Sequence, residues 1–199
     1  PRLIHDLVDG CKAIVNIMLP GNYGGDALAD LLSGDENFSG RLPFTYPSHP
    51  NSFTTYDFKV CEARETMPGT YNYEAHTNTQ WWFGEGMSYT TFEYSDLQVV
   101  QKSARCFEVS FKVKNTGKYD GEEVSQLYMR DEYASVVQPM KQLKHFERFH
   151  LKKGEEKKVT FVLTEEDFFL VNYTLKKVVE SGNFHLMIGA ASNDIRLQN

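Results

Sequence analysis

Phe107, Val109, Phe111 and Val113 alternate with Glu108, Ser110, Lys112 and Lys114, and nothing else in the chain restricts its fold as strongly. Successive side chains of an extended strand point to opposite faces. This spacing therefore gathers four apolar groups on one side and polar groups on the other. Such a strand has one face on a core and one in water, which is the pattern of an antiparallel sheet. The alternation returns at Val159, Phe161 and Leu163, and at Phe184, Leu186 and Ile188. Residues 123–131 and 142–151 read as two more strands. Asn115-Thr116-Gly117 and Lys152-Lys153-Gly154-Glu155 read as turns. About seven strands with turns every 8–12 residues predict an immunoglobulin-like sandwich over 92–199. The Cys…Trp…Cys pattern of disulfide-bonded antibody domains is missing. The three cysteines, Cys11, Cys61 and Cys106, lie far apart and read as incidental thiols.

The first 47 residues follow a different period. Leu3, Ile4, Leu7 and Val8 recur at helical spacing and predict a short helix ending near Gly10. Residues 12–19 (KAIVNIML) are β-branched and mostly apolar, as in a strand buried on both faces of a parallel sheet. Residues 20–25 (PGNYGG) break that run. Ala27, Leu28, Leu31 and Leu32 then line one side of a second helix, with Gly34 as its stop. Residues 41–47 leave as an extended, proline-bracketed exit. One strand and two short helices close no core, so residues 1–47 are expected to be the end of a larger α/β domain. The absence of an initiator Met agrees with a fragment or a processed chain. Residues 48–91 form an irregular, aromatic-rich linker that holds Trp81 and Trp82; a connection of that length is usually functional or wraps a surface. The expected fold class is mainly β: a C-terminal immunoglobulin/fibronectin III-like β-sandwich preceded by an incomplete α/β (parallel-sheet) segment.

Charge removes several function classes. Lys+Arg is 21 and Asp+Glu 27, a formal net charge of −6, which lacks the basic footprint of a nucleic-acid binder. No apolar run approaches the ~18–20 residues of a membrane span. The first residues do not form a signal peptide, so location is not legible there. There is no CxxC or HExxH, and His5, His49, His76, His145, His150 and His185 show no ligand spacing. No metal and no cofactor are expected. A phosphate cradle at Gly21, Gly24 and Gly25 is set aside, because no phosphate-loop motif is present and Asp26 would repel an anion.

Three stretches carry a resemblance. The first is PGNYGGDALADLLSG at 20–34, continuing to SGRLPFTYP at 39–47. The second is FGEGMSYTTF at 83–92. The third is QPMKQLKHFERF at 138–149, followed by LKKGE at 151–155. In that order they resemble the C-terminal part of glycoside hydrolase family 3, the β-glucosidase and β-xylosidase group, ending in its fibronectin type III-like domain. The chain departs from the family pattern at Phe38 after Asn37, where Pro is usual, and at Glu85, Gln138 and His145. These departures point to a divergent branch and leave the sugar open. The resemblance implies a retaining hydrolase with two carboxyl groups roughly 5–5.5 Å apart. It places the nucleophilic Asp in an N-terminal barrel and the acid/base Glu in the α/β sandwich domain, both upstream of Pro1. It implies those upstream domains of the same polypeptide as partners, a glycoside or oligosaccharide as substrate, and a periplasmic or secreted parent. No catalytic residue is then expected among these 199, and the chain alone is expected to be inactive.

Local candidates remain. Tyr71, Tyr73, Glu74 and Trp81 are the residues expected to face a sugar, since aromatic faces stack on sugar rings. Packing of the linker is the competing role for the rings. Glu62, Glu65 and Glu85 are further linker carboxylates, read as exposed or ion-paired, with a raised pKa at Glu85 if it is buried beside Trp82. Glu122-Glu123, Glu155-Glu156 and Glu165-Glu166 read as solvated charge. Gly84 and Gly86 mark a close approach, and Tyr89 and Phe92 are expected to anchor the linker on the sandwich. A carbohydrate-binding module is the alternative function, but Phe107, Phe111, Phe161 and Phe184 alternate as core rather than as an exposed platform. A stand-alone interaction domain ranks third, because an orphan strand at 12–19 would expose apolar surface.

Overall fold

A computed structural model describes residues 2–50, 55–59 and 79–199. The N-terminal segment holds α1 (His5–Val8), α2 (Gly24–Ser33) and the short strand β1 (Tyr46–Pro47). The linker contributes β2 (Thr79–Trp81). The sandwich follows as β3 (Phe92–Ser103), β4 (Cys106–Asn115), β5 (Gly121–Asp131), β6 (Gln142–Leu151) and β7 (Glu156–Leu163). Then come α3 (Glu165–Phe168), the small hairpin β8 (Leu170–Val171) and β9 (Lys177–Val178), β10 (Phe184–Ala191) and β11 (Asp194–Gln198). The strands that alternation predicts are all present.

Two antiparallel sheets face each other. One runs β3-β4-β7 and the other β11-β10-β5-β6. Register follows the alternation: Val109 lies opposite Phe161 and Phe111 opposite Val159, while Leu127 pairs with Ile188 and Met129 with Leu186. These inward positions, with Phe149, Leu151 and Leu163, form one closed core. Phe107 and Phe184 pack against it from its rim, so the strand aromatics face inward as the pattern requires.

β5 departs from simple alternation, because residues 125–129 are buried on both faces. Ser125, Leu127 and Met129 face the sandwich core. Gln126 and Tyr128 face outward and are covered by the linker. Phe83 stacks on Tyr56 at a ring separation of 4.2 Å, and Tyr56 meets Tyr128 edge-on at 5.9 Å. The Gln126 amide donates to the carbonyl of Ala190, and the Tyr128 hydroxyl donates to Gln126 Oε1. Both tyrosine hydroxyls are held above their ordinary pKa, Tyr128 the further of the two, chiefly by burial.

The N-terminal segment is less complete than its sequence pattern. α2 forms and stops at Gly34, but Leu32 on its apolar side is exposed. Residues 12–19 do not form the expected strand: residues 11–20 are extended, bend or irregular, and exposed throughout. The physical reason is that a parallel strand exists only through hydrogen bonds to neighbours, and no described residue offers 12–17 such a bond.

Candidate functional site

The functional question centres on the seam where the N-terminal segment meets the sandwich. The first and second motifs join there. Leu42 N–H donates to the Glu85 carbonyl at 2.8 Å, and Gly84 N–H returns a bond to the Leu42 carbonyl at 2.8 Å. Gly84 has φ +83°, and a Cβ on it would lie 2.4 Å from Gln126 Oε1. A Cβ on Gly86 would lie 2.1 Å from the Gly40 carbonyl oxygen. Only glycine allows both approaches, which is why the pair brackets this crossing.

Asn37 ties three segments together. Its amide donates to the Asp120 carbonyl at 2.9 Å, and its Oδ1 accepts from Ser88 Oγ at 3.0 Å and from Tyr89 N–H at 2.9 Å. Tyr89 is not an anchor on the sandwich. Its hydroxyl donates to the Leu31 carbonyl at 2.8 Å and its ring meets Phe38 edge-on, so it fastens the linker to α2. Phe92 does pack on the sandwich core.

A buried charge pair sits at the centre. Arg41 Nη2 lies 3.0 Å from Glu123 Oε2, with the two side chains 11% and 2% exposed. Glu123 Oε1 accepts from the Tyr94 hydroxyl at 2.9 Å, and Ser125 Oγ donates to the Tyr94 oxygen at 3.1 Å. Burial, reinforced by the Glu123 charge, pushes the Tyr94 hydroxyl far above the ordinary tyrosine range. Glu123 is therefore not the solvated charge that its place at a strand start suggests. It has the parity of Leu127 and Met129, and the missing clue was an arginine 82 residues upstream. Arg196 completes the surround: it lies 4.9 Å above the Tyr94 ring, donates to the Phe92 carbonyl at 2.7 Å, and forks onto Asp194.

An open cleft of about 360 Å³ lies along this seam, between Arg41, Glu85, Ser88, Phe92, Asn193 and Arg196. Its carboxylates are already engaged. Glu85 Oε2 accepts from Trp82 N–H at 3.0 Å and Oε1 from the Asn193 amide at 2.6 Å. Asp194 holds Arg196, and both oxygens of Glu123 are taken. Each of these carboxylates accepts hydrogen bonds or an ion pair from groups of the same chain. This set is wired as a structural joint.

Of the residues expected to face a sugar, Tyr71, Tyr73 and Glu74 lie outside the described residues, as do Glu62 and Glu65. Trp81 is half-buried in β2, opposite Tyr46 in register, with its ring edge-on to Tyr46 at 5.1 Å. Among the described residues, no group of three or more His, Cys, Asp or Glu side chains is placed to hold a metal ion.

Residues 1–90 match the glycosyl hydrolase family 3 C-terminal domain, and residues 123–192 match the fibronectin type III-like domain. The chain belongs to glycosyl hydrolase family 3. The thermostable β-glucosidase B of Acetivibrio thermocellus is 41% identical over 203 residues, covering 96% of this chain and 27% of that protein. A β-xylosidase of Formosa agariphila is 36% identical over 96% of this chain and 27% of its own length. The crystal structure of a Listeria innocua β-glucosidase in complex with isofagomine superimposes with a TM-score of 0.89 at 33% identity, over 100% of this chain and 29% of that one. This family 3 chain thus spans about a quarter of the length of the relatives it matches. The Arg41–Glu123 pair joins its two matched regions, with Arg41 in the first and Glu123 at the start of the second.

Proposed function

We propose that this chain is the C-terminal quarter of a retaining β-glycosidase and that neither of the two reacting carboxyl groups lies in it. Its work is to brace. The sandwich of 92–199 is a rigid support, and the joint at Arg41, Glu123 and Asn37 fixes the α/β segment of 1–47 against it. The described linker residues 55–59 and 79–91 pack along that joint. The upstream barrel and α/β sandwich domain of the same polypeptide are its partners, and the substrate of the whole enzyme is a glycoside or oligosaccharide. Tyr71, Tyr73, Glu74 and Trp81 stand at the rim of that substrate site. The observation that carries the reading is that each seam carboxylate already has its partners, in a chain matching only a quarter of β-glucosidases and a β-xylosidase. The test is hydrolysis of p-nitrophenyl β-glucoside and β-xyloside by this chain and by the longer polypeptide that carries it. Turnover by the longer polypeptide alone is expected. Turnover by the 199-residue chain would overturn the assignment and move the chemistry to the carboxylates of 62–85.

A further inference from the structure

At the end of β5 remote from Glu123, the pairing with β6 slips. Leu127 lies opposite His145 and Tyr128 opposite Leu143, so Lys144 is an extra residue with no partner across the ladder. A bulge of this kind re-aims a side chain, and bulges are over-represented beside active sites. Lys144 lines a narrow pocket with Asp131, Asp167, Phe168, Phe169 and Phe184. Its volume is about 20 Å³, room for a group the size of one water molecule. Asp167 is committed elsewhere: its Oδ1 lies 3.0 Å from His145 Nε2, and its Oδ2 accepts from Thr164 N–H at 2.7 Å. It attracts the Lys144 charge through space, but burial outweighs that attraction and lowers the ammonium below the usual lysine range. Burial moves the Asp131 carboxyl the other way, above the usual aspartate range, against a bond from Tyr133 N–H to Oδ1 at 3.2 Å. The charge of Glu180, which is held by Ser135, adds to that rise. An amine pushed down and a carboxyl pushed up in one pocket are the acid/base arrangement of a reactive site.

We propose that Lys144 is an imine-forming amine and that its pocket takes the carbonyl end of a small hydroxyaldehyde, with Asp131 as the proton donor. The neutral amine attacks the carbonyl carbon, and the π pair of the C=O bond moves onto oxygen, which takes the Asp131 proton. The nitrogen returns a proton to Asp131, leaving a carbinolamine. The hydroxyl then takes the Asp131 proton and leaves as water, while the nitrogen lone pair closes the C=N bond. The last N–H proton goes back to Asp131. One aldehyde and one amine become one imine and one water, with nothing oxidised or reduced. The ligand class follows from the walls. Room for one small group admits a formyl end and excludes a sugar ring. The three phenylalanine rings favour the neutral amine, and a desolvated lysine is the usual Schiff-base former. The amides of Gln138 and Gln142, in the same wall, suit a hydroxyl on the carbon next to the carbonyl. The inference stands apart from the functional reading, since it needs no turnover of a glycoside.

Reductive trapping tests this. The chain, whose sandwich has its own closed core, is treated with glycolaldehyde and sodium cyanoborohydride and digested, and the labelling rate of each lysine is read by mass spectrometry. Near neutral pH, Lys144 should label roughly 5-fold faster than Lys118 and Lys153, although those two are the more exposed. The lead should hold from about pH 6 to about pH 8 and shrink as pH rises towards about 10.4, where ordinary lysines also become free amines. Asp131→Asn should slow the labelling of Lys144 and leave Lys118 and Lys153 unchanged, with thermal unfolding as the check on its fold. If that variant does not fold, the rates and their pH course in the unaltered chain decide. A Lys144 rate at or below those of Lys118 and Lys153 overturns the proposal. So does a lead that does not shrink with rising pH, or an unchanged Lys144 rate in folded Asp131→Asn.

Discussion

Arg41 and Glu123 carry opposite charges into a site from which water is largely removed. A buried pair of this kind tolerates joint replacement by apolar groups better than loss of one member, because a lone buried charge keeps its full desolvation cost. Arg41→Ala should therefore lower stability by about 3–5 kcal/mol, and Arg41→Met with Glu123→Leu by clearly less. Urea titration of the three proteins measures the difference. Tyr94 and Tyr128 give a second signature. Burial raises both hydroxyls above the ordinary value of 10.0. The folded chain therefore keeps two protons that the unfolded chain releases near that value. Stability is intact below it and falls as pH rises beyond it. In a Tyr94→Phe, Tyr128→Phe protein the alkaline loss should be smaller, as read by urea midpoints across the alkaline range. Glycine spacing in 83–92 announced a close approach, and the parity of Glu123 with Leu127 was present in the sequence. What no spacing could announce was the partner of Glu123, since the pairing depends on a long-range crossing of chain segments.

At the scale of elements, β5 shows how the linker and sandwich depend on each other. Its inner face belongs to the core and its outer face to Tyr56, Phe83 and Gly84. Gly84→Ala places a methyl group 2.4 Å from Gln126 Oε1 at a left-handed backbone position. It should cost about 1–3 kcal/mol, seen as a lowered melting temperature. The strands of the sandwich were legible because alternation depends only on which face meets a core inside this chain. The strand at 12–19 was legible as a pattern and still does not form, because its apolar residues answer to neighbours that none of the described residues supplies. Tyr89 was misplaced for a related reason: an aromatic beside a sandwich has two surfaces within reach, and its hydroxyl selects Leu31 of α2.

The whole molecule is a closed sandwich bearing an open α/β segment, joined at a charged seam. The sandwich core carries most of the stability, so Leu127→Ala, at a fully buried position, should cost about 2–5 kcal/mol in chemical denaturation. That architecture suits a brace, and we propose that the reacting carboxyls lie elsewhere in the enzyme. A 2-deoxy-2-fluoro glucosyl fluoride, which traps the covalent intermediate of a retaining glycosidase, addresses this most directly. The longer polypeptide is treated, digested and analysed by mass spectrometry. One labelled carboxylate is expected, on a peptide upstream of Pro1, with unlabelled peptides throughout 1–199. A label on Glu74, Glu85 or any other carboxylate of these residues would contradict it.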